Sequence, residues 1–426
     1  MNFPISTSGM TEHDGPLGVD EARQRIIELC GSRTAVSENV RLEQACGRIL
    51  ARDLQAQANL PAFANSAMDG FALRGADLPS AGESRLRIVG TRLAGSHDPI
   101  EVGAGECLRI MTGAILPSGT DTVVIKERVR VESGSIIVAA GEMAGANVRL
   151  PGEDFRVGDP VAQAGECIGA AHVAVLASLG MAEVPVAQRP RVAVMTTGDE
   201  LVMPGEPCSP AQIHNSNGYV LAAMARMSGA ELVGMTTAGT PFRHLSDDAR
   251  AIRVALLALA ETADVIVTSG GVSAGEADFL PGLVAEAGRV HFWKVRMRPG
   301  MPFLCGKIGK ALVFCLPGNP VSSVATFLAF VRPALAALQG GADIAPREHP
   351  ARLAAPIHKR HPRTEFLRAR SEVREDASVW ATPVSRQGSS MLRGLVEANC
   401  LIVVPEAARD LDCGATVRIM PLPEGY

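Results

Sequence analysis

The sequence predicts a multi-domain chain: an α/β unit with a mostly parallel sheet, a mixed unit with a small β-rich insertion before it, and an all-β unit after it. From residue 191 onward, apolar strands alternate with helical segments of about 10–17 residues, as they do in βαβ units. On both sides, short β-branched runs are separated by Gly and Pro turns, which is typical of small β domains. A chain of 426 residues has room for roughly two to four domains.

The composition excludes several classes of protein. A net charge of −4 and an aromatic content of 4% argue against nucleic-acid binding, which needs a basic face or stacking platforms. The nine cysteines include no C-x-x-C pair, so we expect free thiols in a reducing compartment. The first residues lack a secretory pattern, and no apolar run reaches about 18 residues. We therefore expect a cytoplasmic protein with no membrane and no nucleic-acid partner.

In the N-terminal half, residues 17–30 show helical periodicity, and residues 60–74 are rich in turn formers. Asp69 lies in this turn-rich segment. It could satisfy neighbouring backbone amides, or it could project into a cleft. The pattern leaves both readings open.

Short β runs at 85–93, Thr122–Ile125 and Ser135–Ala139 predict a small β domain. Thr112 places a hydroxyl in a turn after one of its strands. Asp154 lies on a Gly/Pro-rich loop, where a carboxylate can simply be solvated or can serve a site.

The α/β unit is predicted from alternating strands and helices. Predicted strands lie at 191–195, 232–236, 264–268, 291–298 and 310–316, and predicted helices at 215–227, 249–261, 278–288 and 322–339. Right-handed crossovers place the carboxyl ends of parallel strands on one edge, where ligands bind. The Gly-containing loops 196–200, 268–278 and 316–320 should therefore meet there and form an anion site.

The fourth predicted strand, residues 291–298, carries three alternating basic residues, here called the basic comb. Lys294, Arg296 and Arg298 alternate, so a continuous strand would place all three on one face. They could be an exposed edge strand blunted by charge. Because Pro299 and Gly300 follow at once, we instead expect the comb to face a phosphate-like anion.

Carboxylates accompany these anion-binding elements. Glu200, Asp247, Asp248 and Asp278 lie in or near the same loops, and carboxylate oxygens are suitable ligands for Mg²⁺. No G-x-S-x-G, dinucleotide or P-loop motif is present. The residues alone therefore predict metal-assisted chemistry on a phosphorylated ligand at a multi-domain cleft.

Eight motifs carry a closer resemblance. In chain order they read NSAMDGFALR, RIMTGA, PGED, TTGDEL, SGGVSAGEADF, FWKVRMRPGMPF, LPGNPVSS and PRTEF. Together they resemble the MoeA family of molybdopterin molybdenumtransferases, which is related to the C-terminal domain of gephyrin. The resemblance runs from Leu17 to Met420, nearly the whole chain.

The resemblance implies an enzyme of molybdenum cofactor biosynthesis. Its substrates would be molybdate and adenylylated molybdopterin, AMP would be released, and Mg²⁺ would be the divalent ion. It also implies a homodimer of four-domain subunits, with a cleft shared between subunits. The implied units are a linker or dimerisation domain (1–55 and 141–187), a small β-rich domain (56–140), a MogA-like α/β domain (188–342) and a β-barrel-like domain (343–426).

The resemblance also assigns site residues. As catalytic residues we expect Asp69, Asp154, Glu200 and Asp278, and as metal ligands Glu200, Asp278 and Asp69. The expected binding residues are Thr112, Asp248, Ser269, Gly270, Gly271, Gly275, Lys294, Arg296, Arg298, Pro317, Gly318, Asn319, Pro320, Arg363, Arg368 and Ser389.

Two positions depart from the family's usual K-x-x-x-K-P-G-K-P pattern. Arg298 stands where the second lysine is usual, and Met301 stands where the third is usual. A guanidinium is a planar fork and is not equivalent to an ammonium. Met301 removes a charge, for which Arg296 is expected to compensate.

Two other functions compete with the transferase. The chain could be a molybdopterin adenylyltransferase, or a non-catalytic molybdopterin-binding scaffold like gephyrin's clustering domain. The chain length and the acids at Asp69 and Asp154 favour the molybdenum-inserting enzyme. Transient contacts with a molybdopterin adenylyltransferase and with molybdoenzyme chaperones are the expected partnerships.

Overall fold

The computed structural model describes residues 15–31, 36–235, 239–272 and 279–423. Gly275 and Asp278, two of the expected site residues, lie outside these ranges. Three larger sheets dominate the described part of the chain, one in each of its N-terminal, central and C-terminal regions.

The central sheet has seven strands. Five of them are mutually parallel, four in the order Glu231–Leu232, Arg191–Thr197, Val265–Ser269 and Ala311–Leu316, with Arg243–Leu245 as the fifth. Leu304–Ile308 and Arg289–Trp293 continue the sheet through antiparallel pairings, and Arg243–Leu245 pairs with Arg191–Thr197. Val265–Ser269 and Ala311–Leu316 are buried along their whole length, because helices cover both faces of the sheet.

Alternate residues of these strands enter two separate cores. Val265 and Val267 pack on one side of the sheet, and Ile266 packs on the other. The covering helices are Asn217–Met227, Ala249–Thr262, Leu280–Ala287, Pro320–Thr326 and Arg332–Leu338. A π-helical turn, Phe327–Val331, joins the last two.

The joined helical segment Pro320–Leu338 is apolar over 19 residues. Among the described residues it is alone in being long and apolar enough to cross a membrane, yet 78% of it is buried inside the fold. Helix Val19–Cys30 packs against the same core through Ala22, Ile26 and Cys30.

The N-terminal sheet has six strands and its own small core around Phe71 and Leu86. Its order is Thr122–Ile125, Gly70–Leu73, Glu106–Ile110, Glu83–Arg92, Ser135–Ala139 and Val129–Glu132. The segments before this sheet pair with the segments after it through three short antiparallel strand pairs. These are Ser37–Arg41 with Glu183–Ala187, Leu54–Gln55 with Pro160–Ala162, and Asn65–Ser66 with Val148–Arg149. Helix Ala170–Ser178 lies between two of the later segments.

The C-terminal strands form a closed barrel, because Thr364–Val373 pairs on both sides. The ring runs through Thr364–Val373, Val379–Pro383, His349–Leu353, Thr416–Pro421 and Cys400–Val404. Outside the ring, Met297–Arg298 pairs in parallel with Thr364 and Glu365. This pairing attaches the barrel to the chain that leaves the central sheet. Ile357–His358 pairs with Asp410–Leu411, and helix Arg393–Glu397 precedes the ring strand Cys400–Val404.

Helix Ala249–Thr262 begins at Asp248, whose carboxylate accepts hydrogen bonds from the amides of Arg250 and Ala251 at 2.8 and 3.1 Å. Replacing Asp248 with Ala should lower the free energy of unfolding by about 1 kcal/mol, because two amides lose their acceptor. Asp248→Asn retains a good capping residue and should stay within about 0.5 kcal/mol of the parent protein. Urea denaturation measures both variants, and equal losses would show that the cap is not the cause.

Candidate functional site

Two adjoining cavities lie where three parallel strands of the central sheet end. The first, here called the acidic cavity, has a volume of about 300 Å³ and lies at the ends of Arg191–Thr197, Val265–Ser269 and Ala311–Leu316. Its lining residues are Thr197, Gly198, Glu200, Asp247, Gly270, Gly271, Val272, Pro302, Pro317, Gly318 and Asn319. The meeting of the three predicted loops is therefore confirmed for their described residues.

The second, here called the basic cavity, has a volume of about 440 Å³ and lies between the central sheet and the barrel. It shares Pro302, Pro317 and Asn319 with the acidic cavity. Its polar walls come from both regions of the chain and comprise Arg298, Asn319, Ser322, Arg363, Glu365, Gln387 and Ser389.

Residues 269–272 form the glycine loop of the acidic cavity. Gly270 and Gly271 have φ values of +100° and +62°. A Cβ at Gly270 would lie 2.6 Å from the Thr197 carbonyl oxygen, so a larger residue would push the loop away from the neighbouring strand. Glycine thus allows the backbone to pass close to the cavity wall.

The Ser269 hydroxyl faces the interior and is not part of the cavity wall. It donates to the Pro317 carbonyl at 3.1 Å and accepts from the Asn217 side-chain amide at 2.9 Å. The same amide donates to the Gly318 carbonyl at 2.6 Å. Ser269 and Asn217 therefore join two loops of the acidic cavity by buried hydrogen bonds.

The acids of this cavity are Glu200 and Asp247. Burial raises the pKa of the Asp247 carboxyl above its ordinary value, and the negative charges of Asp199 and Glu200 add to the rise. The Asp247 amide donates to Asp199 at 3.0 Å, which holds the two segments together. The cluster disfavours a further negative charge, so it favours a proton or a cation.

Asp248, the expected binding residue, lines neither cavity, and its carboxylate caps the following helix. The sequence pattern placed the two neighbouring acids in the same loop but could not tell which one faced the ligand. In the described ranges, no three Asp, Glu, His or Cys side chains are grouped as metal ligands.

The predicted basic comb is wrong as a single strand face. The strand ends at Trp293, because Lys294 adopts a φ of +72°, and only Met297–Arg298 pairs again, with the barrel. Arg296 binds Glu406 at 3.1 Å and also donates to the Pro16 carbonyl. Its charge is thus neutralised outside both cavities, where it does not compensate for Met301.

Arg298 and Arg363 bring two guanidinium groups to the basic cavity. Glu365, which is 9% exposed, lies between Arg298 at 3.6 Å and His361 at 3.4 Å. The Arg363 guanidinium contacts the Met301 sulfur at 3.5 Å. The cavity therefore combines two positive charges with one buried carboxylate.

Two other expected binding residues have structural positions. Arg368 is 1% exposed and donates to the carbonyls of Met391 and Gly388 at 2.8 and 3.0 Å. It supports the segment that carries Ser389 into the cavity wall. Pro320 begins helix Pro320–Thr326 and lines neither cavity.

Asp69 and Thr112 form a separate site on the N-terminal sheet. The Asp69 carboxylate accepts bonds from the Thr112 amide and hydroxyl, both at 2.9 Å, and Lys126 lies 3.7 Å away. The Thr112 amide, followed by its hydroxyl, lowers the pKa of Asp69 below its ordinary value. Asp69 thus binds an amide 43 residues away along the chain and not one of its own turn, and it remains half-exposed.

Asp154 lies in an exposed turn, and its own backbone amide donates to the Leu60 carbonyl at 2.9 Å. Asp69, Thr112 and Asp154 line neither cavity. One copy of the chain therefore brings Asp69 and Thr112 together, but it does not place them in the wall that contains Glu200.

The sequence pattern missed Thr197 and Asn217. The Thr197 hydroxyl is buried without a hydrogen-bond partner at the last position of its strand. Asn217 begins helix Asn217–Met227 and cross-links two loops. For Thr197 the available signal was its position at the carboxyl edge of the sheet, where ligands bind.

Three consecutive family regions match this chain. They are the MoeA N-terminal region (domain I and II) at residues 17–180, a probable molybdopterin binding domain at 193–337 and the MoeA C-terminal region (domain IV) at 350–422. The match agrees with an α/β unit between an N-terminal unit and a C-terminal β unit.

Named relatives match nearly end to end. A molybdopterin molybdenumtransferase of Haemophilus influenzae is 35% identical over 407 residues, covering 95% of this chain and 98% of the relative. Molybdopterin molybdenumtransferase 2 of Mycobacterium tuberculosis is 35% identical over 392 residues, covering 90% and 94%.

A crystal structure of the molybdopterin biosynthesis MoeA protein from Pyrococcus horikoshii superposes with a TM-score of 0.80 at 27% identity, covering 96% of this chain and all of that one. Its fold therefore extends over nearly the whole molecule. The resemblance carried by the eight sequence motifs is confirmed: the chain belongs to the MoeA family.

Proposed function

We propose that this protein is a molybdopterin molybdenumtransferase. It transfers molybdenum from molybdate to the dithiolene sulfurs of adenylylated molybdopterin and releases AMP. The observation that carries the proposal is the pair of adjoining cavities, one with a glycine loop and carboxylates and the other with two guanidinium groups. Such a pair can hold a nucleotide-linked ligand beside a small oxyanion.

The basic cavity suits molybdate. Molybdate is a dianion whose oxygens can accept several hydrogen bonds, and guanidinium forks bind oxyanions with two parallel bonds. Arg298, Arg363 and Ser389 supply donors in the wall of the cavity. Glu365 reduces the net positive charge there, which keeps the dianion from being held too tightly to leave the cavity for the dithiolene sulfurs.

The acidic cavity suits the phosphate end of the second substrate. Backbone amides of a glycine-rich turn at a strand end bind phosphate oxygens, and Gly270, Gly271 and Gly318 leave the backbone open to them. The unpartnered Thr197 hydroxyl adds a donor beside this loop. We retain Gly275, which lies outside the described residues, as a proposed member of the loop.

A divalent ion fits the same cavity. The raised pKa of Asp247, caused by burial and by neighbouring carboxylates, marks a place where a positive charge relieves repulsion. Glu200 and Asp247 would hold Mg²⁺ there, and we retain Asp278 and Asp69 as proposed ligands. The ion would neutralise charge on the phosphate oxygens as the phosphate bond breaks.

We further propose that the active unit is a homodimer. Asp69, Thr112 and Asp154 line neither cavity of their own chain, so a second copy is the natural source of these groups. The proposed units are those expected from the sequence: 1–55 with 141–187, 56–140, 188–342 and 343–426. A cytoplasmic location accords with nine free cysteines. A molybdopterin adenylyltransferase and molybdoenzyme chaperones remain the proposed transient partners.

The function is tested by incubating the protein with adenylylated molybdopterin, Mg²⁺ and molybdate. We expect AMP release that requires molybdate, because hydrolysis is coupled to metal insertion. Binding of the pterin without AMP release would instead identify a scaffold. Transfer of the AMP moiety from ATP to molybdopterin would identify an adenylyltransferase.

Replacing Arg363 with Met should weaken molybdate binding by about tenfold or more, because a charged hydrogen bond to the dianion contributes about 1.5–3 kcal/mol. The control is Arg370→Met, which removes an exposed arginine from the barrel strand Thr364–Val373 that directly follows Arg363. Isothermal titration of each variant with molybdate gives the comparison. Equal affinities for both variants would place the molybdate elsewhere.

A further inference from the structure

Trp293 stands at the point where the central sheet ends and the chain turns away. Its successor, Lys294, has a φ of +72°, a conformation that is rare for a residue with a side chain. The turn is held by hydrogen bonds from the Lys294 amide to the Phe303 carbonyl at 2.8 Å and from the Leu17 amide to the Lys294 carbonyl at 3.3 Å. Such conformations persist where the surroundings impose them, and they concentrate at functional sites.

The turn places the Lys294 ammonium over the ring of Trp293. The nitrogen lies 4.6 Å from the ring centroid, within the range of a cation–π interaction. The position of this cation is therefore defined by the indole ring.

The indole of Trp293 also contacts the glycine loop. Its N–H donates to the Val272 carbonyl at 3.1 Å. Val272 is 2% exposed, lines the acidic cavity and directly follows Gly270 and Gly271. The hydrogen bond thus fixes the far end of a loop whose glycines have little conformational preference of their own.

We infer that Trp293 is a positioning residue of the acidic cavity, which sets the glycine-loop backbone and the Lys294 cation in one fixed arrangement. The inference rests on the proposed function in that the loop receives the phosphate of the adenylyl group. Trp293 and Lys294 line neither cavity, so Trp293 acts on the acidic cavity through Val272. Its loss should therefore weaken nucleotide binding without removing any group that touches the ligand.

The chain contains a matched control. Trp380 is its only other tryptophan, and it makes the same two kinds of contact. Its indole N–H donates to the Ser378 hydroxyl at 2.8 Å, and the Arg374 guanidinium lies 3.8 Å from its ring centroid. Trp380 belongs to the C-terminal barrel and lines neither cavity.

The experiment compares AMP binding to the full-length protein and to its Trp293→Phe and Trp380→Phe variants in the presence of Mg²⁺. Phenylalanine keeps a ring beneath Lys294 but removes the hydrogen bond to Val272. We expect Trp293→Phe to raise the Kd for AMP about threefold to tenfold, as the loss of one hydrogen bond does, and Trp380→Phe to leave it unchanged. Unchanged affinity in Trp293→Phe, or an equal loss in both variants, would overturn the inference.

A second readout remains valid even if Trp293→Phe folds poorly. In Trp380→Phe, Trp293 is the sole tryptophan, so its fluorescence should change on titration with AMP and saturate at the same Kd as the calorimetric titration. A spectrum that does not respond to bound AMP would contradict the coupling.

If AMP does not bind the parent protein at all, the proposed nucleotide site fails, and the role of Trp293 fails with it. Binding to the parent protein with no effect of Trp293→Phe overturns only the role of Trp293.

Discussion

A buried hydrogen-bond network at the carboxyl edge of the central sheet is the interaction on which the site depends. The side-chain amide of Asn217 binds both the Ser269 hydroxyl and the Gly318 carbonyl, and Ser269 continues to the Pro317 carbonyl. The loops that follow two neighbouring parallel strands are thereby held at a fixed separation. Without that network, loops rich in glycine and proline would have no common geometry, and neither cavity would keep its shape.

The two cavities follow from this fixed edge. Pro317 and Asn319 belong to both, so the loop that Asn217 anchors is also the partition between them. Carboxylates lie on the side of the glycine loop, and guanidinium groups lie on the side of the barrel. Because the short strand Met297–Arg298 pairs with Thr364 and Glu365, the barrel is attached where the basic cavity needs its second wall. Opposite charges are thus separated by one loop, and two different anionic ligands can lie side by side.

Much of this architecture could be predicted from the sequence, because periodicity and turn residues are local signals. The strands Thr122–Ile125 and Ser135–Ala139 were predicted with their observed bounds, and the three loops were correctly expected to meet at one sheet edge. The two-residue periodicity of a strand could not reveal that Lys294 has a positive φ, so the three basic residues were wrongly assigned to one strand face. Nor could local rules decide between Asp247 and Asp248, since both acids suit a helix start and only the tertiary fold directs one into a cavity.

In the proposed homodimer, the catalytic set is divided between two copies of the chain, with Glu200 from one and Asp69 from the other. The most direct test mixes two inactive variants, Glu200→Gln and Asp69→Asn, under conditions that allow subunits to exchange, and measures molybdate-dependent AMP release. A mixed dimer would contain one site with both native carboxylates, so an equal mixture should recover about a quarter of the parent rate. If both residues act within one chain, every site in the mixture is defective, and the absence of any recovery would contradict the account.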